Sequence, residues 1–176
     1  MTGPGPIGLL SLAVAKAAGA TFVAVCGVRS DRGIRFDKAK ELGADVIIEV
    51  DEENPVKKVF ILSGNLGVDM VIEASGSPVA ITQSFEMVRR TGRICAIGIS
   101  GKSSLSIPYD LGIFKAIRYD FCFSSSWTAW ERCLSLVSKG FINPEKLITH
   151  VMPLDKWQEA FQLLEQRQAL KVILVP

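Results

Sequence analysis

Short β-branched and apolar runs alternate with helical patterns along most of the chain. Residues 7–18 are apolar nearly all round, as a helix packed inside an α/β layer would be. Residues 21–28 (TFVAVCGV) form a compact strand-like run, and residues 31–42 are charged with helical spacing up to Gly43. The pattern repeats as a strand over 45–50, a helix over 55–62 and a strand over 68–73. Ser77 and Pro78 then read as N-cap and first helical residue of a helix reaching Arg90. A strand over 93–99 follows, then a Ser/Gly/Pro-rich loop over 100–110 and a strand over 117–123. A helix over 128–139 stops at Gly140. Beyond about Ile142 the alternation ends, leaving one amphipathic helix within 153–168, capped by Asp155, and a strand over 172–175.

Buried strands that alternate with helices cannot pair as hairpins, so the expected class is α/β with a doubly wound parallel sheet, the Rossmann arrangement. The expected division is a dinucleotide-binding domain over 1–142 and a separate C-terminal segment over 143–176. The chain opens on Gly3-Pro4-Gly5-Pro6-Ile7-Gly8, a G-x-G-x-x-G turn at the mouth of the first helix. Such a turn brings backbone close to a pyrophosphate and aims helix N–H groups at it. A complete strand normally precedes it, and here only Met1 and Thr2 do. The first strand of the sheet is therefore expected to be largely missing. It is central in the 3-2-1-4-5-6 order, and about five buried side chains would go with it, on the order of 8–15 kcal/mol of burial. Poor stability alone is the expectation.

Candidate chemistry follows the strand ends. The second strand of a dinucleotide fold usually ends in an acid that holds the ribose 2′-hydroxyl. Here the zone reads Gly27-Val28-Arg29-Ser30-Asp31-Arg32, with no acid at the strand end. Ser30 between Arg29 and Arg32 suits a 2′-phosphate, which guanidinium groups bind by charge-assisted bonds. That favours NADP. Two alternatives stand beside it: the arginines as a solvated helix start with Asp31 as N-cap, and Asp31 reaching the ribose, which returns NAD. Glu73, Ala74 and Ser75 end one strand and Gly98, Ile99 and Ser100 the next, both facing the crevice where ligands of such sheets sit.

Composition narrows this further. A net charge of +2 and the lack of a basic run with interleaved aromatics argue against nucleic acid. Apolar runs break well short of membrane-spanning length, no leader pattern follows Met1, and cysteines read as free buried thiols suggest a reducing, cytoplasmic compartment. Cys26, Cys95, Cys122 and Cys133 are scattered, and His150 is the only histidine, so no local Cys/His zinc cluster is available. Three of the cysteines read as small buried hydrophobes, Trp127, Trp130 and Trp157 as packing residues, and His150 as structural.

With those residues in hand, the chain resembles the medium-chain dehydrogenase/reductase family, nearest its zinc-dependent alcohol and polyol (sorbitol and threonine) dehydrogenase branch. The resemblance rests on TGPGPIG at 2–8, AKELGAD at 39–45, VDMVIEASG at 68–76, GRIC at 92–95, LITH at 147–150 and EAF at 159–161. It implies hydride transfer between a secondary alcohol and NAD(P), in a parent whose zinc ligands come from an N-terminal catalytic domain. No residue here matches a zinc ligand. It implies pyrophosphate contacts from Gly3, Gly5, Pro6 and Ile7. Gly27, Arg29, Ser30 and Arg32 would meet the adenosine ribose. Glu73, Ala74, Ser75, Gly98, Ile99, Ser100 and Ser124 would lie on the nicotinamide side, and Lys171 would reach a phosphate. It implies that 143–176 is a remnant of the catalytic domain, that the chain alone is inactive, and that homo-oligomers form through the sixth-strand edge at 119–123. A non-catalytic dinucleotide-binding or subunit-interaction module is the alternative.

Overall fold

The computed structural model describes all 176 residues, Met1–Pro176. Seven strands and seven α-helices follow in the order α1 (Pro6–Ala17), β1 (Ala24–Gly27), α2 (Ile34–Glu41), β2 (Val46–Glu49), α3 (Pro55–Leu62), β3 (Val68–Glu73), α4 (Pro78–Met87), β4 (Val88–Ala96), α5 (Tyr109–Lys115), β5 (Arg118–Phe121), α6 (Trp127–Ser138), β6 (His150–Pro153), α7 (Trp157–Glu165) and β7 (Val172–Val175). β1 pairs with β2, β3 with β4, β4 with β5, and β6 with β7, all in parallel.

β1 and β3 do not pair with each other, and the first residues of the chain fill the seam between them. On one side Cys26 N–H donates to the Met1 carbonyl at 2.8 Å and Gly3 N–H to the Cys26 carbonyl at 3.0 Å. On the other, Thr2 N–H donates to the Ile72 carbonyl at 2.9 Å and Ala74 N–H to the Thr2 carbonyl at 3.0 Å. Thr2 thus bridges Cys26 and Glu73. The order across the seam is β2, β1, Met1–Gly3, β3, β4, β5, which is the doubly wound arrangement with its glycine turn at the centre.

Apolar packing ties the two half-sheets together. One cluster joins Ala24, Ile48 and Val59 from the β1–β2–α3 side to Val71, Phe85, Val88 and Ile94 from the β3–β4–α4 side. A second packs Leu9 and Leu12 of α1 with Val25, Ala39, Leu147 and Leu170. The last two come from the C-terminal segment. Two fully buried leucines are worth about 1.5–3 kcal/mol each, whereas the exposed Lys146–Glu41 pair at 3.5 Å adds little. Apolar burial, together with the Arg167–Asp31 ion pair at 2.7 Å, docks residues 143–176 onto the rest of the chain.

The structure departs from the sequence reading in several places. α5 lies partly within the stretch read as a loop, with no side chain capping its start. His150 opens a strand, β6, which was not expected. α4 stops at Met87 because β4 begins at once, three residues before the expected helix end. Asp155 sits in a short 3-10 turn and does not cap α7, whose N-cap is Lys156. Trp127, Trp130 and Trp157 are exposed rather than packed, Trp127 at 80%. Among the cysteines only Cys26 is buried.

Candidate functional site

Three strand-end loops converge at the carboxyl edge of the sheet. The first is the glycine turn. Gly3 takes φ +85°, a conformation that side chains oppose, and lies against the Ser75 backbone. A Cβ on Gly8 would collide with the Gly3 carbonyl oxygen, so the turn folds tightly under α1. Gly5, by contrast, faces open space. It is the N-cap of α1, it supplies no capping side chain, and Pro6 follows at the first helical position. The first-turn N–H groups therefore point outward beside a position where no side chain blocks approach, a geometry that fits a pyrophosphate.

The second loop follows β3, and Glu73 organises it. This carboxylate is 0% exposed. Its Oε1 accepts the Thr2 hydroxyl at 3.1 Å, the Ser75 N–H at 2.8 Å, the Ser75 hydroxyl at 2.5 Å and the Gly76 N–H at 3.1 Å. Hydrogen bonds to charged groups are worth about 1.5–3 kcal/mol, and several on one buried oxygen fix the loop against the turn. Glu73 thus positions Ser75 and Thr2, with its carboxylate turned inward. The third loop follows β4. Ile97 N–H and Gly98 N–H both donate to the Glu73 carbonyl, at 2.8 and 2.9 Å. Ile99 is left 77% exposed at its rim, and Ser100 accepts from Lys102 N–H at 3.1 Å.

Next to the turn lies the zone after β1. Gly27 packs against Pro4, Phe36 and Asp31. An open recess of about 550 Å³ is lined by Val28, Arg29, Ser30 and Asp51. Arg29 donates its N–H to Asp51 Oδ2 at 2.5 Å and its guanidinium to Glu52 Oε1 at 2.5 Å. The bond to Glu52 holds the Arg29 guanidinium above its ordinary pKa. Arg32 donates to Glu49 Oε2 at 2.7 Å. These three carboxylates at and after the end of β2 were missed by the sequence reading, although the acids of 49–53 stand together in the chain.

Asp31 is only 3% exposed. Its Oδ2 accepts the Val28 N–H at 3.0 Å, and its Oδ1 accepts Arg35 at 3.0 Å and Arg167 at 2.7 Å. It does not cap α2, whose N-cap is Gly33. Ser124 lies in an exposed loop after β5 with φ 61°, and Lys171 is exposed before β7. No hydrogen bond or ion pair joins either side chain to the glycine turn. No group of three or more His, Cys, Asp or Glu side chains that could hold a metal ion is formed. His150 Nδ1 is 3.0 Å from the neighbouring Thr149 hydroxyl. These donors do not fit a zinc site.

A parallel sheet wound on both faces, with a glycine turn where its central strand meets a helix, defines a Rossmann-like fold. The family model described as zinc-binding dehydrogenase matches residues 6–139, and the chain belongs to that family. It corresponds to the C-terminal, Rossmann-like half of medium-chain zinc alcohol dehydrogenases. The chain is 34% identical over 176 residues to a sorbitol dehydrogenase of Halalkalibacterium halodurans, covering 100% of this chain and 51% of that protein. It is 37% identical over 178 residues to an L-threonine 3-dehydrogenase of Pyrococcus abyssi, covering 99% of this chain and 50% of that one. Among solved structures, an alcohol dehydrogenase of Thermus sp. ATN1 superposes with a TM-score of 0.92 at 30% identity, covering 99% of this chain and 50% of that one. An alcohol dehydrogenase of Escherichia coli CFT073, solved with NADH, superposes with a TM-score of 0.83 at 28% identity, covering 99% and 51%. The chain spans about half the length of the curated relatives it matches.

Proposed function

We propose that this chain binds a nicotinamide dinucleotide and serves as the cofactor-binding part of an alcohol or polyol dehydrogenase. The observation that carries the reading is the uncapped start of α1 beside the open face of Gly5. In it, the amides after Pro6 bind the pyrophosphate, and Gly3, Gly5 and Ile7 leave room for it. The loops Glu73–Ser75 and Gly98–Ser100 border the nicotinamide, with Ser124 beyond them, and Lys171 reaches toward a phosphate. When bound, the nicotinamide ring supplies hydride acceptance and donation with a secondary alcohol. This chain's own residues orient the ring. The positively polarised helix end neutralises part of the phosphate charge.

For the adenosine end we propose a preference for NADP. No acid stands at the end of β1, Ser30 lines the recess, and Asp31 is engaged by Arg35 and Arg167. Arg29 then exchanges the exposed Glu52, and Arg32 the largely buried Glu49, for a 2′-phosphate, a bidentate acceptor of higher charge. A second reading, NAD, is favoured by Asp51, which lines the same recess and can accept a ribose hydroxyl. Comparing NADPH and NADH affinities in Arg29→Ala and Arg32→Ala separates the two. A loss of roughly tenfold or more for NADPH alone supports the phosphate reading, since one charge-assisted bond is worth about 1.5–3 kcal/mol. Equal effects on both cofactors overturn it.

We propose that turnover of an alcohol needs metal ligands from outside these residues, because no trio of metal-ligand side chains is formed among them. We further propose that two copies associate along the β5 edge at 119–123 through the side bearing Phe121 (85% exposed) and Phe123 (89%), which alternation along the strand sets opposite the Cys122 thiol. A cytoplasmic setting accords with four free thiols, and no helix is long and apolar enough to cross a membrane.

A further inference from the structure

We propose that Cys95 and Cys122 form a dithiol site that closes to an internal disulfide by exchange with a small-molecule disulfide such as oxidised glutathione. The inference does not rest on dinucleotide binding. Cys95 lies on β4 and is paired in register with Asp120 of β5. Cys122 stands two residues further on, just past the end of β5, and its N–H donates to the Ala96 carbonyl at 2.8 Å. Residues two apart on a strand share a face, so both thiols emerge on the same side of the sheet. Their sulfurs are 3.4 Å apart. A disulfide needs about 2.05 Å between sulfurs. The remaining approach falls to Cys122, which lies outside the regular strand, is exposed, and leads into the left-handed turn at Ser124.

The two thiols have different roles in the exchange. Exposed Cys122, as thiolate, attacks one sulfur of oxidised glutathione, and one glutathione thiolate leaves. Cys95 loses its proton and attacks the Cys122 sulfur, forming the Cys95–Cys122 bond. The second glutathione leaves as a thiolate and takes up a proton. In sum, two protein thiols are oxidised to one disulfide while one oxidised glutathione is reduced to two glutathione molecules. Burial and the neighbouring Cys122 thiol push Cys95 up to about 11. Its thiolate fraction, and with it the closing step, rises roughly tenfold per pH unit between about pH 7 and 9.

The remaining cysteines act as internal controls. Cys133 is exposed on α6 with no thiol beside it, and Cys26 is buried in the core. The test treats the full chain with excess oxidised glutathione and follows intact mass and mapped peptides. The expected product has lost two hydrogens through a Cys95–Cys122 link, with glutathione retained only on Cys133. Cys95→Ser, which removes the resolving thiol, traps glutathione on Cys122. Phenylarsine oxide, which requires two adjacent thiols, binds one per wild-type chain and not to Cys122→Ser. Three results overturn the proposal: glutathione stably retained on wild-type Cys122, a Cys122 disulfide between two chains, or a Cys122 that does not react.

Discussion

Asp31 shows how one side chain can tie distant parts of the chain together. Its carboxylate holds the Val28 N–H, Arg35 four residues on, and Arg167 from the C-terminal segment. The charge is buried, so its worth depends on both guanidinium partners being present. Asp31→Ala leaves Arg35 without its ion-pair partner and releases the loop Val28–Ser30. The expected loss is about 3 kcal/mol, measured by denaturant unfolding. A change below about 0.5 kcal/mol would contradict the role given to this residue. Read locally, the residue is open to two roles, a helix cap or a ribose ligand; Gly33 takes the α2 cap instead, and the carboxylate is held by Arg35 and Arg167. The deciding partner, Arg167, lies 136 residues away, beyond the reach of any spacing rule. The acids Glu49, Asp51 and Glu52 were visible in the sequence, but their pairing with Arg29 and Arg32 depends on β1 and β2 lying side by side.

Among the elements, legibility follows clear breaks at the ends. α3, β3 and β7 fall on the expected residues; Asn54-Pro55 and Ser63-Gly64 bound α3, and Gly67 and Ala74-Ser75-Gly76 bound β3. α5 was hidden by a Ser/Gly/Pro-rich approach and by the absence of a capping side chain. A contact from another element supports the helix before it. Lys115, the last residue of α5, donates to the carbonyls of Phe85 at 2.9 Å, Glu86 at 2.6 Å and Val88 at 2.7 Å. These lie at the end of α4, where carbonyls lack helical partners and a cation is favoured. Burial lowers the Lys115 pKa. Lys115→Met keeps the stem but removes the ammonium. About 1–2 kcal/mol of stability should go with it, with hydrogen exchange accelerating first at the end of α4. Unchanged exchange there would show that the carbonyls find other partners.

At the scale of the whole molecule, the glycine turn owes its position to the seam. Met1–Gly3 bonds to β1 on one side and β3 on the other, so the turn emerges where helices pass to opposite faces of the sheet. The convergence of Gly3–Ile7, Glu73–Ser75 and Gly98–Ser100 could be anticipated from strand ends alone, since a parallel sheet places all such ends on one edge. The docking of residues 143–176 could not, because Leu147 and Leu170 meet Leu9 and Leu12 only after the sheet has formed. The central claim is that this edge binds a nicotinamide dinucleotide. It is tested most directly by titrating the chain with NADPH and NADH while following nicotinamide fluorescence. The account predicts saturable binding, tighter for NADPH, that is lost in Gly8→Ala, whose new methyl group displaces the Gly3 carbonyl. Absence of saturable binding by either cofactor, with the chain folded by circular dichroism, would contradict it.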